Sequence, residues 1–187
     1  MKYKAVIFDM DGTILNTLED LKNATNYSLR QFGMPERTLE EVRMFVGNGI
    51  RKLVERAVPA GTSEEKIDQI LDVFLEYYEI HSADNTSPYP GILELVEKLK
   101  KSGIKTAVST NKADVPAQEL GREYFNGIFD LIVGQQDGLK VKPAPDSVNK
   151  ILSILDIQKK DAIYIGDSDV DVQTAKNSGL SITGGMS

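Results

Sequence analysis

Four short stretches of the chain carry side chains suited to one chemistry. They are Asp9-Met10-Asp11-Gly12-Thr13, then Ser109-Thr110-Asn111-Lys112, then Leu139-Lys140-Val141-Lys142-Pro143-Ala144-Pro145, and last Gly166-Asp167-Ser168-Asp169-Val170-Asp171. A carboxylate can attack phosphorus and carry the phosphoryl group as an aspartyl phosphate. Such a step needs a cation beside the anionic group, donors for the transferring oxygens, and an acid for the leaving alcohol. Asp9 is the expected nucleophile and Asp11 the general acid, later the base for water. Thr110 is expected to donate to the phosphoryl oxygens, Lys142 to supply a fixed positive charge, and Asp167 to ligate a metal. Backbone N–H groups around Asp11, Gly12 and Asn111 would complete a phosphate cradle, with Gly12 permitting close approach. Five carboxylates gathered at one place repel one another by roughly several kcal/mol unless a hard cation sits among them, and Mg²⁺ takes such oxygens octahedrally. Singly, each stretch has a plainer reading. Asp-x-Asp-Gly describes a turn, Thr110 a helix cap, Lys142 a solvated lysine, and Asp169 with Asp171 a favourable helix start. It is their convergence on one sheet edge that selects the chemistry.

That convergence depends on the elements between them. Ala5-Val6-Ile7-Phe8 is a continuous apolar run, as in a strand buried on both faces of a parallel sheet. Similar runs recur at Thr106-Ala107-Val108, Leu131-Ile132-Val133 and Ala162-Ile163-Tyr164-Ile165, and between them lie helical patterns such as Ile92 to Leu99, closed by Gly103. The alternation predicts an α/β fold with a doubly wound, Rossmann-like parallel sheet, in which ligands bind outside the carboxyl ends of the strands. From Thr17 to Asp84 only helical patterns occur. Residues 1–16 and 85–187 are therefore expected to form the catalytic core and residues 17–84 an inserted helical cap. Thr17 with Asp20, and Thr38 with Glu41, fit the capping-box spacing, while Ser63 precedes Glu64 and Glu65. Asn16-Thr17 and the polar stretch from Ser82 to Pro88 are the expected hinges. Phe74, Tyr77 and Tyr78 read as cap core, and His81 as a surface or hinge histidine.

Composition removes whole classes of function. The 187 residues hold no Cys and one His, which excludes disulfide frameworks, thiol catalysis, Cys zinc sites and His clusters, so any metal must be held by oxygen. With 22 Lys and Arg against 28 Asp and Glu, the net charge of −6 argues against broad contact with nucleic acid. No apolar run approaches the roughly 20 residues that span a bilayer. The expected setting is soluble and cytoplasmic, with no membrane partner.

DMDGT, STN after an apolar strand, KPAPD and GDSDVD stand in the order and at the ordinary spacing of the haloacid dehalogenase superfamily of phosphotransferases, which the chain resembles over most of its length. The resemblance implies a Mg²⁺-dependent phosphomonoesterase working through an aspartyl phosphate, with a helical cap of the first type. It carries Asp9, Asp11, Thr110, Lys142 and Asp167 into the roles above. Asp9, Asp11 and Asp167 then form the metal set, with Asp171 in support near the metal. The dehalogenase branch lacks the second Asp of the first motif, and Asp11 is present here, so phosphatase is preferred. Phe45-Val46-Gly47-Asn48-Gly49-Ile50-Arg51 resembles a cap loop of phosphoglycolate phosphatase-like members. Gly47, Asn48, Gly49 and Arg51 are accordingly expected to meet substrate, joined by Gly12 and Asn111 from the core, although a plain helix-to-helix turn also describes the glycines. The expected substrate is a small phosphorylated metabolite, with 2-phosphoglycolate as the candidate, and the expected assembly a monomer or weak homodimer.

Two alternatives share these motifs. One is a pyrophosphatase or sugar phosphomutase on the same core, differing in the cap. The other is a non-enzymatic phosphoacceptor switch; but receiver domains carry no helical insertion of this size and place the acceptor Asp on a middle strand. Members of the resembled family continue beyond the fourth motif through a strand and a further helix, whereas this chain stops at Gly184-Gly185-Met186-Ser187. If that end is a truncation, an open edge is expected near Ser181-Ile182-Thr183.

Overall fold

The computed structural model describes residues 3–183; Gly184-Gly185-Met186-Ser187 lie outside the described residues. Two compact units share the chain: one takes the sequence up to Leu15 and again from Pro88, and the other spans Asn16–Ser87.

The first unit is built on a five-stranded, all-parallel sheet. In chain order its strands are β1 (Ala5–Phe8), β4 (Lys105–Ala113), β5 (Leu131–Gln135), β6 (Ala162–Ile165) and β7 (Ser181–Thr183), arranged β5-β4-β1-β6-β7. The helices α5 (Ile92–Lys101), α6 (Asp114–Phe125), α7 (Asp146–Leu155) and α8 (Asp169–Ser178) alternate with them. The unbroken apolar run of β1 has its physical reason here, since β1 is flanked on both sides and all four of its residues are buried. Ile7, Ala107, Val133, Val148, Ile151, Tyr164 and Ala175 belong to one core cluster, which fastens the strands and helices whose ends carry the reactive groups. β7 is an edge strand, paired to β6 in the order given.

Two expectations need correction. The second apolar run does not stop at Val108: β4 continues to Ala113, with a register shift against β5 between Ser109 and Ala113, so Thr110, Asn111 and Lys112 lie within an irregular strand end. And β1, first in sequence, is the middle strand in space, so the position of the acceptor Asp does not by itself separate this fold from a receiver.

The second unit contains α1 (Leu18–Gln31), α2 (Leu39–Phe45), α3 (Ile50–Ala57) and α4 (Glu64–His81). Leu21, Leu29, Val42, Leu53, Ile70 and Phe74 lie in its own core cluster. Tyr78 is buried there too, while Tyr77 stacks between Tyr27 at 4.2 Å and His81 at 4.3 Å. His81 Nδ1 lies 2.7 Å from Asp84 Oδ2. The Thr38–Glu41 capping box forms, and the Ser63 hydroxyl accepts from Lys66 N–H. The Thr17–Asp20 box does not. Thr17 makes no side-chain cap bond, and the buried Asp20 carboxylate instead accepts from the Asn85 backbone N–H, the Asn85 amide and the Thr86 hydroxyl at 2.8–3.0 Å. The polar stretch expected as a slack hinge is thus pinned by hydrogen bonds where apolar contacts are lacking. Nearby, β2 (Leu15–Asn16) and β3 (Ser87–Pro88) pair as a two-stranded sheet. Among the described residues no helix is long and apolar enough to cross a membrane.

Candidate active site

Asp9 follows β1 directly, and its N–H donates to Ile165 O at 2.8 Å, which brings the first motif against the end of β6. The next turn is wound tightly around one acceptor: the N–H groups of Thr13, Ile14 and Leu15 all donate to Met10 O. Gly12 takes φ 84°, and a Cβ there would collide with the Asp167 carboxylate. Only glycine lets the two acidic loops approach so closely. Its N–H, expected in the phosphate cradle, donates to Leu15 O at 2.9 Å instead. Gly12 serves the site through its missing side chain. Thr13 Oγ1 donates to Asp167 Oδ1 at 2.7 Å and fixes the same approach.

Lys142 is the hub. Its ammonium lies 2.8 Å from Asp9 Oδ1 and 2.8 Å from Asp171 Oδ1, and donates to Tyr164 OH at 3.0 Å, with the side chain almost wholly buried. Asp171 is fully buried and has both oxygens engaged. Oδ1 takes Lys142 and Tyr164 OH, and Oδ2 takes the Ser168 N–H at 3.1 Å and the Ser168 hydroxyl at 2.6 Å, within a capping box that opens α8. Met10 N–H donates to Asp9 Oδ1 at 2.7 Å. Asn111 holds the backbone of Lys142 reciprocally: its amide donates to Lys142 O at 3.1 Å and its Oδ1 accepts from Lys142 N–H at 2.8 Å. Asn111 therefore spends its side chain on placing Lys142. The Thr110 hydroxyl oxygen accepts from Lys112 N–H at 3.1 Å, which leaves its proton to be donated.

The charges explain what this arrangement can bind. Burial pushes the Asp9 carboxyl up to about 8, against the pull of Lys142 and with the help of Asp171 and Asp11. Asp167 is also raised, first by burial and then by Asp171, although the Thr13 bond opposes it. Burial works against both charges of the Lys142–Asp171 pair. Even so, Lys142 and Ser168 hold Asp171 below the ordinary carboxylate range, and Asp9, Tyr164 and Asp171 hold Lys142 well above the lysine range. The site is short of positive charge at Asp9 and Asp167. Oxygen atoms of Asp9, Asp167 and Asp171 lie within 4.8 Å of one another, a hard donor set of the kind Mg²⁺ takes. Asp11, expected in the metal set, stands outside this group; its Oδ1 faces Lys112 Nζ at 3.3 Å.

Three contributors escaped the sequence reading. In sequence Tyr164 reads only as part of an apolar strand, Thr13 only as the end of a motif, and Lys112 carries no role. A hydroxyl in an otherwise apolar central strand, and a lysine four residues beyond the apolar run that ends at Val108, were the available signals, because such groups are buried only with partners.

In the helical unit, the loop residues expected to meet substrate are engaged locally. Gly47 and Gly49 take φ of 111° and 85°, and Gly49 caps α3. Asn48 Oδ1 accepts from Arg56 Nη2 at 2.8 Å, while Arg56 Nη1 donates to Phe45 O, so the loop is a braced turn. Arg51 is not poised for an anion: its guanidinium is spent on Glu55 at 3.1 Å, Glu64 at 2.9 Å and Asp68 at 2.5 Å.

Comparison with known proteins agrees with this geometry. The family model for haloacid dehalogenase-like hydrolases matches residues 6–184. A phosphoglycolate phosphatase of Aquifex aeolicus is 33% identical over 177 residues, 94% of this chain and 81% of the relative. A crystal structure from Lactobacillus delbrueckii subsp. bulgaricus, proposed to be a phosphoglycolate phosphatase, superposes with a TM-score of 0.94 at 36% identity, covering 98% of this chain and 86% of that one. CbbY of Rhodobacter sphaeroides, solved in complex with xylulose-1,5-bisphosphate, gives a TM-score of 0.76 at 25% identity, covering 97% and 85%.

Proposed function

The chain belongs to the haloacid dehalogenase-like hydrolase family and is a phosphatase, and from that premise we propose a Mg²⁺-dependent phosphomonoesterase that works through an aspartyl phosphate on Asp9. The observation that carries the reading is the setting of Asp9. Its Oδ1 is pinned by Lys142 and by Met10 N–H, beside Asp167, at the carboxyl end of the middle strand. Both of these contacts fall on Oδ1, which leaves Oδ2 for attack. As the Asp9 oxygen–phosphorus bond forms, the bond to the leaving oxygen breaks and Asp11 passes its proton to that oxygen. In the second half Asp11 takes a proton from water as the water oxygen joins phosphorus and Asp9 is released. Lys142 supplies fixed charge throughout and Thr110 donates its hydroxyl proton to a phosphoryl oxygen. Asp9 and Asp167 would hold Mg²⁺, which when bound supplies the positive charge their carboxylates and the phosphate dianion need to coexist. Asp171, with both oxygens already occupied, acts by holding Lys142.

The proposed substrate is a small phosphorylated metabolite, with 2-phosphoglycolate first because relatives carry that name, and the proposed setting is the cytoplasm, as a monomer or weak homodimer. The helical unit is proposed as the cap that selects the substrate. Asp9→Asn tests the covalent step. Turnover of a generic phosphomonoester with Mg²⁺ should vanish, and acid-quenched wild-type protein should carry a hydroxylamine-sensitive phosphate that the variant lacks. A variant retaining more than a small fraction of the rate would remove Asp9 from the nucleophile's role.

A further inference from the structure

The core unit buries a second ammonium that the mechanism above leaves unused. Lys112 lies in the irregular end of β4, and its side chain is 2% exposed. Lysine is almost never so deeply buried unless it is paired. Its Nζ sits 3.3 Å from Asp11 Oδ1, a buried oxygen that receives no hydrogen bond among the described residues. The contact is thus one of charge without hydrogen-bond alignment. It fixes where that oxygen lies and leaves the other carboxyl oxygen of Asp11 uncommitted by the pair. The backbone of the same residue holds its own motif, since Lys112 N–H donates to Thr110 Oγ1. One residue therefore ties the first acidic loop to the hydroxyl of the second motif.

We propose that Lys112 is a positioning residue for Asp11, holding one carboxyl oxygen so that the other meets the leaving-group oxygen of the substrate. Lys112 neither gains nor loses a proton. The proton moves between Asp11 and the leaving oxygen as the phosphorus–oxygen bond breaks, and between water and Asp11 in the second half. This rests on the reading of Asp11 as the proton donor, and the experiment separates the two.

Wild type, Lys112→Met, Lys112→Arg and Asp11→Asn are compared with Mg²⁺ on three substrates. Ethyl phosphate has a poor leaving group and no second anion; 2-phosphoglycolate has a poor leaving group and a carboxylate; p-nitrophenyl phosphate has a leaving group that needs no proton. For the last, the pre-steady-state burst of nitrophenolate is followed, which isolates the first half of the reaction. Lys112→Met should lower kcat about 10²-fold on the two alkyl phosphates, the scale of a misplaced catalytic group, with KM near wild type. The nitrophenolate burst should change less than about threefold, and Lys112→Arg should recover part of the loss. Equal losses on all three substrates would overturn the proposal, making Lys112 structural or a contact of the phosphoryl group. A KM increase confined to 2-phosphoglycolate would overturn it in favour of a site for the second anion. If Asp11→Asn shows the leaving-group dependence and Lys112→Met does not, the proposal alone fails. If Asp11→Asn shows none, the donor reading fails and takes the proposal with it. Should Lys112→Met not fold, the Arg variant carries the test: its alkyl phosphate rates must fall more than its burst rate, and a uniform loss refutes the proposal.

Discussion

Lys142→Met, read against Asp171→Asn, tests whether the site is held by one shared charge. The ammonium contacts Asp9 and Asp171 at 2.8 Å each and Tyr164 OH at 3.0 Å, all out of solvent. Methionine fills much the same volume, so the loss is electrostatic: the buried Asp171 carboxylate, held ionised by Lys142, is left without its cation beside Asp9. Removing one partner of a buried pair costs about 3–5 kcal/mol. At roughly 2–4 °C per kcal/mol for a chain of this length, the melting temperature should fall by about 6–20 °C. Asp171→Asn keeps the shape and also destabilises. The double variant should lose less than the sum of the two, by about 0.5–3 kcal/mol, because Lys142 and Asp171 share a contact. Thermal unfolding followed by circular dichroism in EDTA gives all four corners of the cycle with no metal to mask them. With Mg²⁺ restored, the Lys142→Met rate should be lower by about 10² to 10³, the scale of one missing transition-state stabiliser. A melting temperature within about 2 °C of wild type, or strict additivity in the cycle, would refute the shared-charge argument, and a wild-type kcat would make Lys142 a bystander.

Activity should disappear with EDTA and return with Mg²⁺, Ca²⁺ substituting poorly because its looser shell of about six to eight oxygens misplaces the nucleophile; full activity after chelation overturns this. Because Asp9 is raised to about 8 in the folded protein, the folded state binds the extra proton between its ordinary value and that pH. Its contribution to stability is therefore present at low pH and lost as pH rises towards 8, so Mg²⁺ should raise the melting temperature more at pH 8 than at pH 5; equal increments would contradict the shift. Arg51→Ala should leave the ranking of 2-phosphoglycolate, a sugar phosphate, pyrophosphate and a nucleotide unchanged, since its guanidinium is engaged by Glu55, Glu64 and Asp68. A selective loss of kcat/KM on 2-phosphoglycolate would return Arg51 to the substrate.

The strands and the convergence of the acidic motifs were legible because each rests on a local rule. A run such as Ala5–Phe8 has no polar residue to turn outward, so it must lie inside a sheet, and the reactive residues then fall at its end. Contacts decided by which of several partners a side chain chooses were not legible. Thr17 and Asp20 have capping-box spacing, as Thr38 and Glu41 do, yet Asp20 finds three donor groups on Asn85 and Thr86, some 65 residues away in sequence. Arg51 was expected to meet substrate, but besides Glu55 on its own helix, Glu64 and Asp68 fall within its reach once α3 and α4 pack. Lys112 is the opposite case. Next to the legible Thr110 and Asn111 it had no local rule to mark it, and only the irregular end of β4 carries its ammonium to Asp11. The same strand irregularity that hid Lys112 from sequence reading is what allows one motif to brace another. A regular strand would alternate side chains between the two faces of the sheet at every step, whereas past the register shift Asn111 reaches Lys142, Lys112 reaches Asp11, and Thr110 keeps a hydroxyl proton for the phosphoryl group of the proposed reaction.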